Sequence, residues 1–318
     1  MTAPLPVLCL CGPTGAGKTA ASLALAATFG GEVVNMDSRQ IYRDFPLITA
    51  QPTREEQALC PHHLFGFAGP EESYGAGQYA ALAGEMVHAI HARGAIPILV
   101  GGTGLYIRTL FDGVAPIPPI PPAVREHWLA RHAELGPGLH AELRRIDPES
   151  AARLHPNDRQ RITRALEVWN HTGKTLTDWH RMPVASPRYA PLFLGIKREL
   201  AELEPLLKRR IDLMLEAGAV EEAEQARKQC ANPEAPGWSG IGCREMWLYL
   251  EGRVSLDECR ALWLKNTRAY AKRQLTWFNA DKRILWHAPE EVEAMTKAAG
   301  GFLAAFPRRR FFPSFSHL

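Results

Sequence analysis

The sequence predicts an α/β fold, a mostly parallel sheet that carries a helical insertion. Three observations predict it. Short apolar runs alternate with helical patterns near the N-terminus, a glycine-rich turn joins the first run to the first helix, and a proline-rich stretch near residue 116 opens a purely helical texture. Val7 to Cys11 reads as a buried strand, and Thr19 to Phe29 as the helix that follows the turn. Gly30-Gly31 stops that helix, and Glu32 to Asn35 begins a second strand. Met86 to Ala92 is helical, Gly94 is its stop, and Ile96 to Val100 is a third apolar strand. Phe193 to Ile196 is predicted to join the same sheet from much later in the chain.

The segment Pro116–Pro122 reads PIPPIPP, which cannot be helix interior. From Ala123 to His171 the pattern is helical, with Asp147-Pro148-Glu149 as a helix start. Residues 115–190 are therefore expected to form the insertion, and 1–114 with 191–318 the catalytic core. Glu199 to Cys230 reads as one helical stretch, Gly237, Gly240 and Gly242 as a flexible turn, and 255–279 as another helix. Arg308-Arg309-Arg310 and an aromatic tail close the chain.

Composition bounds the function. In 318 residues, 46% hydrophobic and 22% charged content excludes a fibrous repeat or a disordered tail protein. Six cysteines without a C-x-x-C pair predict unpaired thiols in a reducing cytoplasm. His62-His63 are adjacent rather than helically spaced, and H-E-x-x-H and G-x-S-x-G are missing, so neither a catalytic zinc nor a serine hydrolase is supported. No run reaches the ~18 apolar residues of a membrane span, and the start of the chain lacks the layout of a signal peptide. A cytoplasmic protein is expected, and nothing requires more than a monomer.

The net charge of +3 comes from 37 Lys and Arg against 34 Asp and Glu, unevenly placed. Residues 199–224 hold eight acidic side chains, whereas Arg253 to Arg283 hold eight basic and three acidic ones. In that second stretch Arg268, Lys272 and Arg273 flank a stripe of Tyr270, Gln274 and Trp277. Basic side chains interleaved with aromatics suit a phosphate backbone with unstacked bases; a solvated helix with Trp277 in the core is the other reading.

Gly12-Pro13-Thr14-Gly15-Ala16-Gly17-Lys18-Thr19 matches G-x-x-x-x-G-K-[ST] between a strand and a helix, the context of a P-loop NTPase-like core. Its glycines turn backbone N–H groups onto a phosphate, Lys18 adds a point charge, and Thr19 can ligate Mg²⁺. ATP and any diphosphate ester satisfy the same loop. Asp37, just past the second strand, suits Mg²⁺-bound water, a general base, or a cap for a helix at 38–42. Gly101-Gly102-Thr103-Gly104 places a hydroxyl and bare backbone at the same sheet end. Gln160, Arg161 and Arg164 share one helix face. Lys208, Arg209 and Arg210 serve either as surface pairs or as a clamp on the diphosphate.

The segments GPTGAGKT (12–19), DSRQIYR (37–43), AQPTREE (50–56), PHHLF (61–65), GGTGLYIRTL (101–110), DPESAARLHPNDRQRITRALEV (147–168), RRIDLMLEAG (209–218) and TRAYAKRQLTWF (267–278) run nearly the length of the chain. In these the chain resembles the tRNA dimethylallyltransferases, also called tRNA isopentenyltransferases. The resemblance implies transfer of a dimethylallyl group from dimethylallyl diphosphate to N6 of adenosine 37 beside the tRNA anticodon, with release of diphosphate. It implies that the loop 12–19 holds that diphosphate with Mg²⁺, that Asp37 is the base, and that Thr19 and Arg210 assist. It implies tRNA contacts at Asp37, Ser38, Arg39, Gln40, Thr103, Arg125, Gln160, Arg161, Ile162, Thr163, Arg164 and Arg244, with the insertion as the lobe that grips the anticodon stem-loop. The segment 239–244, Ser-Gly-Ile-Gly-Cys-Arg, departs from the family's bulkier version but keeps Arg244, and 66–72 is expected as a surface loop. The alternative is an ATP-dependent P-loop kinase acting on a nucleic acid or nucleotide.

Overall fold

The computed structural model describes residues 4–182 and 188–306. The expected basic run Arg308–Arg310 lies outside them. The chain divides into two compact units, Met1–Phe111 with Pro187–Leu318, and Asp112–Ser186.

The larger unit is built on one six-stranded sheet in the order β3-β2-β4-β1-β5-β6, every pairing parallel. In chain order its first half is β1 (Leu5–Cys11), α1 (Lys18–Phe29), β2 (Gly31–Asn35), α2 (Arg54–Leu59), β3 (His62–His63), α3 (Ala76–Ala92), β4 (Ile96–Gly101) and α4 (Gly104–Asp112). β1 is buried on both faces, which is why it reads as an unbroken apolar run. Val7, Cys9 and Cys11 face one core cluster, with Val87 and Ile90 of α3; Leu8 and Leu10 face the other, with Leu25 of α1. Cys11 lies opposite Gly101, and Asn35 opposite Val100, so β1, β4 and β2 end flush. Their three following loops therefore leave the sheet at one level, at its carboxyl edge, where such sheets bind ligands.

The smaller unit is helical: α5 (Pro122–Leu135), a 3₁₀ turn at Gly136–Gly138, α6 (Leu139–Ile146), α7 (Pro148–Arg153), α8 (Arg159–Thr172) and α9 (Leu176–His180). The expected continuous pattern from 123 to 171 is thus broken, because Gly136, Asp147 and Asp158 each end or cap a helix. Trp128, Leu139, Leu143, Ile162 and Leu166 form its core. Burial alone would raise the Asp147 carboxyl. Hydrogen bonds from the Ser150 and Thr177 amides and hydroxyls outweigh it and hold the group below its ordinary value.

The larger unit resumes with β5 (Tyr189–Ile196), α10 (Leu200–Glu216), α11 (Ala219–Gln229), a 3₁₀ turn at Pro236–Ser239, α12 (Cys243–Leu250), α13 (Leu256–Asn279), β6 (Leu285–His287) and α14 (Val292–Ala304). β5 starts four residues before the expected Phe193, within the range assigned to the insertion, because Leu5 through Cys11 pair with Tyr189 through Gly195. The stretch 199–230 is two helices, divided where Gly218 takes a φ of 103°. The acidic and basic stretches meet across α10 and α13: Asp212 pairs with Arg260 at 2.5 Å and Glu204 with Arg268 at 3.2 Å. Leu203 and Leu207 pack on Ala271 in the same helix pair. The 66–72 segment is a loop, as expected, but it is anchored at its middle. Ala68 is fully buried in a bridge to Tyr42, and Pro70 accepts the Gly237 N–H. All six cysteines are free and buried. No described helix is long and apolar enough to cross a membrane.

Candidate active site

The glycine loop after β1 turns at Gly12, whose φ is 140° and where a Cβ would meet the Ile196 carbonyl at 2.5 Å. Only glycine fits there. Lys18 folds its ammonium back onto the loop, donating to the Gly12 carbonyl at 3.0 Å and the Pro13 carbonyl at 2.8 Å. Burial pushes this ammonium down to about 8; Asp37 pulls it back up and Arg210 adds to the fall. Thr19 is exposed at the start of α1.

Asp37 leaves the end of β2 in a turn rather than a helix. Its Oδ1 accepts the Arg39 N–H at 2.9 Å, so the capping interaction expected at 38–42 is a local turn. Asn35, fully buried, fastens that turn: its Oδ1 accepts the Asp37 N–H at 2.7 Å and its amide donates to the Asp37 and Leu64 carbonyls. The sequence signal for Asn35 was slight, a single amide ending an apolar strand. Ser38 donates its N–H to Thr103 Oγ1 at 2.9 Å, which joins the loop after β2 to the loop after β4. Arg39 donates to Ser239 Oγ at 2.8 Å. Gln40 commits its amide nitrogen within the chain, to the Thr49 and Ala50 carbonyls.

Arg210 projects from α10 and donates to Thr14 Oγ1 at 3.2 Å. Burial lowers this guanidinium from its usual range, while Asp37 and Glu56 draw it back up. Of the run 208–210, Arg210 is the member that reaches the glycine loop. On α13, Gln274 is buried and bonded on both sides, Tyr270 and Arg273 line a cavity, and Trp277 remains 39% exposed against Gly104. The stripe predicted on this helix is therefore a wall of the site, and Trp277 is not a core residue. Burial pushes the Tyr270 phenol up, Asp37 adds to it, and hydrogen bonds to Thr103 and Gln274 oppose it.

Two cavities meet here. One, of about 500 Å³, is lined by Gly15, Gly17, Lys18 and Thr19 together with Gln51, Glu56 and His62. The other, of about 340 Å³, combines an apolar wall (Ile48, Leu207, Ile211, Trp263) with Ser38, Arg39, Ser239 and Arg273. Thr14, Asp37, Thr49, Arg210 and Met214 line both. A carboxylate and a guanidinium thus stand where the chamber lined by the glycine loop and Lys18 joins a chamber with an apolar wall and a basic rim.

The chain matches the model of the family described as IPP transferase over residues 40–281. It is 55% identical over 298 residues to the tRNA dimethylallyltransferase of Nitratidesulfovibrio vulgaris strain DP4, covering 93% of this chain and 96% of that protein. The chain belongs to the IPP transferase family. A more distant relative, the tRNA dimethylallyltransferase of Lawsonia intracellularis, is 45% identical over 94% of this chain and 98% of its own. Among solved structures, the full-length tRNA isopentenylpyrophosphate transferase of Bacillus halodurans is 33% identical, with a TM-score of 0.70, covering 94% of this chain and 97% of that one. A eukaryotic dimethylallyltransferase acting on tRNA is 28% identical with a TM-score of 0.81, covering 96% and 81%. The family match contains Thr103, Arg210 and Gln274, and the glycine loop and Asp37 precede it.

The remaining candidates from the resemblance divide between the units of this IPP transferase family member. Arg244 is exposed on α12 of the larger unit. In the smaller unit Arg125 is exposed on α5, and Gln160, Arg161 and Arg164 are exposed on α8. The Ile162 and Thr163 side chains, unlike these, are 0% and 3% exposed: Ile162 packs in that unit's core and the Thr163 hydroxyl is spent on the Arg159 carbonyl. Helical periodicity forces this, since a run of five consecutive residues cannot all face outward. Asp158 caps α8 and ion-pairs with Arg161, and burial of Asp158 is outweighed by the Arg161 bonds that hold its carboxyl low.

Proposed function

We propose that this chain transfers the dimethylallyl group of dimethylallyl diphosphate to N6 of adenosine 37 in the tRNA anticodon loop, releasing diphosphate. The observation that carries it is the shared lining at Thr14, Asp37 and Arg210 between the glycine-loop cavity and the cavity with the apolar wall. The core is then P-loop NTPase-like, with the loop serving a leaving diphosphate rather than ATP.

The adenine enters from the rim marked by Arg39, Ser239 and Arg273 after leaving its stack, which is cheapest in a single-stranded loop. The apolar wall excludes water from the allylic carbon. As the C1–O bond breaks and the N6–C1 bond forms, negative charge grows on the diphosphate, beside the Lys18 and Arg210 side chains that line the glycine-loop cavity. One Asp37 oxygen is held by the Arg39 amide, and the carboxylate accepts the N6 proton.

Mg²⁺ fits the donor set. Among the described residues no group of three His, Cys, Asp or Glu forms a dedicated cage, but Thr19, Asp37 and Glu56 place oxygens in one cavity. Mg²⁺ favours few protein oxygens plus substrate phosphates. Thr19 would hold it with the diphosphate, and when bound it neutralises the leaving group.

The test is incubation of the protein with unmodified tRNA and either dimethylallyl diphosphate or ATP. Prenylated adenosine formed without ATP is expected. Phosphate transfer that requires ATP would replace this reading with the kinase one.

A further inference from the structure

We propose that Gln274 is a positioning residue that locks the leaving-group side of the site to the base side. The proposal rests on the transferase reading above and adds a residue to it. Gln274 lies on α13 and is 4% exposed. Its Oε1 accepts the Thr14 N–H at 2.9 Å, and its Nε2 donates to the Gly102 carbonyl at 3.0 Å. Those two partners are 260 and 172 residues away in the chain. One is an obligate donor and the other an obligate acceptor, so the amide has a single orientation that satisfies both.

Each partner leads to a reacting group. Thr14 receives Arg210 on its hydroxyl, so the arginine that faces the diphosphate takes its placement from a residue that Gln274 holds. Gly102 borders the base: a methyl group there would stand 3.6 Å from Asp37 Oδ2 and 1.9 Å from Gln274 Nε2. Thr103, the next residue, carries the Ser38 N–H and so braces the Asp37 turn. One buried amide therefore spans from the glycine loop to the loop behind Asp37. Packing α13 on the sheet needs only an apolar side chain of this size; the paired donor and acceptor are needed to hold two loops in register. Displacing reacting groups by about 1 Å costs on the order of 100-fold in rate.

The experiment uses the full chain with unmodified tRNA and dimethylallyl diphosphate. Gln274→Met keeps length and volume but makes neither bond, and Gln274→Asn keeps the amide but is one methylene too short to reach both partners. Both are expected to lower the single-turnover rate about 100-fold, while the Kd for tRNA and for dimethylallyl diphosphate stays within about threefold of wild type. Gly102→Ala is an independent route to the same defect, because its methyl group would stand 1.9 Å from Nε2 and displace it. The double variant is expected to be no slower than either single one, the signature of one shared contact. A Gln274→Met rate within about threefold of wild type, full rescue by Asn, or losses that multiply in the double variant would overturn the proposal. If Gln274→Met does not fold, Gly102→Ala alone must show the rate loss with normal substrate affinity, and its failure to do so also overturns it. Amide hydrogen exchange at Thr14 separates this proposal from the transferase reading. Faster exchange in the variants is expected whatever reaction is catalysed, whereas a wild-type protein that transfers no prenyl group would remove the reading and leave the exchange result standing.

Discussion

Lys18 ties a measurable pH dependence to one geometric cause. Its ammonium is turned onto the Gly12 and Pro13 carbonyls, and burial brings it down to about 8. Only the protonated form adds charge to the diphosphate. At pH 7 about ten molecules in eleven carry the ammonium and at pH 9 about one in eleven does, so the apparent Kd for dimethylallyl diphosphate should rise about tenfold between pH 7 and pH 9. The folded value lies below the unfolded one, so the strain of keeping this lysine charged is fully present under pH 8 and is relieved as pH climbs toward the unfolded value. Apo stability and ligand affinity thus respond to alkaline pH in opposite directions. Isothermal titration calorimetry at constant ionic strength from pH 6.5 to 9.5 reads the affinity directly. The ligand's terminal phosphate loses its last proton near pH 6, as phosphate monoesters do, and so stays constant over most of this range. Lys18→Arg keeps its charge throughout and should flatten the curve even where it weakens binding. Equal wild-type affinities at pH 7 and pH 9, or the same alkaline loss in Lys18→Arg, would refute the reasoning.

Asp37→Asn should lower the single-turnover rate by about 10²- to 10⁴-fold with the tRNA Kd within about twofold; an unchanged rate would remove the base assignment. Glu222 on α11 accepts the Leu47 and Ile48 N–H groups at 2.7 and 2.9 Å, holding the segment that walls both cavities. Burial raises its carboxyl to about 7 against those two bonds, with Asp44 adding to the rise. A folded value above the unfolded one means that stability present at acid pH is lost as pH rises through 7. The melting temperature should therefore fall between pH 5.5 and 8, and less steeply in Glu222→Gln; parallel curves would contradict it. Arg161→Ala, on the exposed face of α8, should weaken tRNA binding about equally across tRNA sequences and reduce the slope of log K against log salt by about 1; an unaltered slope would exclude a phosphate contact.

The legible parts of the site were those with local physics. A strand, a glycine turn and a helix in succession leave few conformations, and Gly12 through Thr19 take the expected one. Asp37 and Thr103 were legible because residues at the carboxyl ends of parallel strands face the ligand edge. Arg210 was harder. In sequence it is the last of three adjacent basic residues amid acidic ones, and only the packing of α10 on α13 turns it inward while Asp212 and Glu204 turn to Arg260 and Arg268. The burial of Ile162 and Thr163 was not legible from a contiguous motif carried over whole, because helical period sends its middle side chains to the core.

From its own residues the chain specified a parallel α/β core, a glycine-rich turn between strand and helix and a helical insertion, because period, breakers and turn chemistry act over a few residues. Folding had to bring Thr14, Gly102 and Gln274 together across up to 260 residues. It had also to end three strands flush, so that Lys18, Asp37 and Arg210 share one rim. Contacts of that kind are set by strand register and helix packing, which depend on the whole buried core at once, and no stretch of sequence encodes them alone.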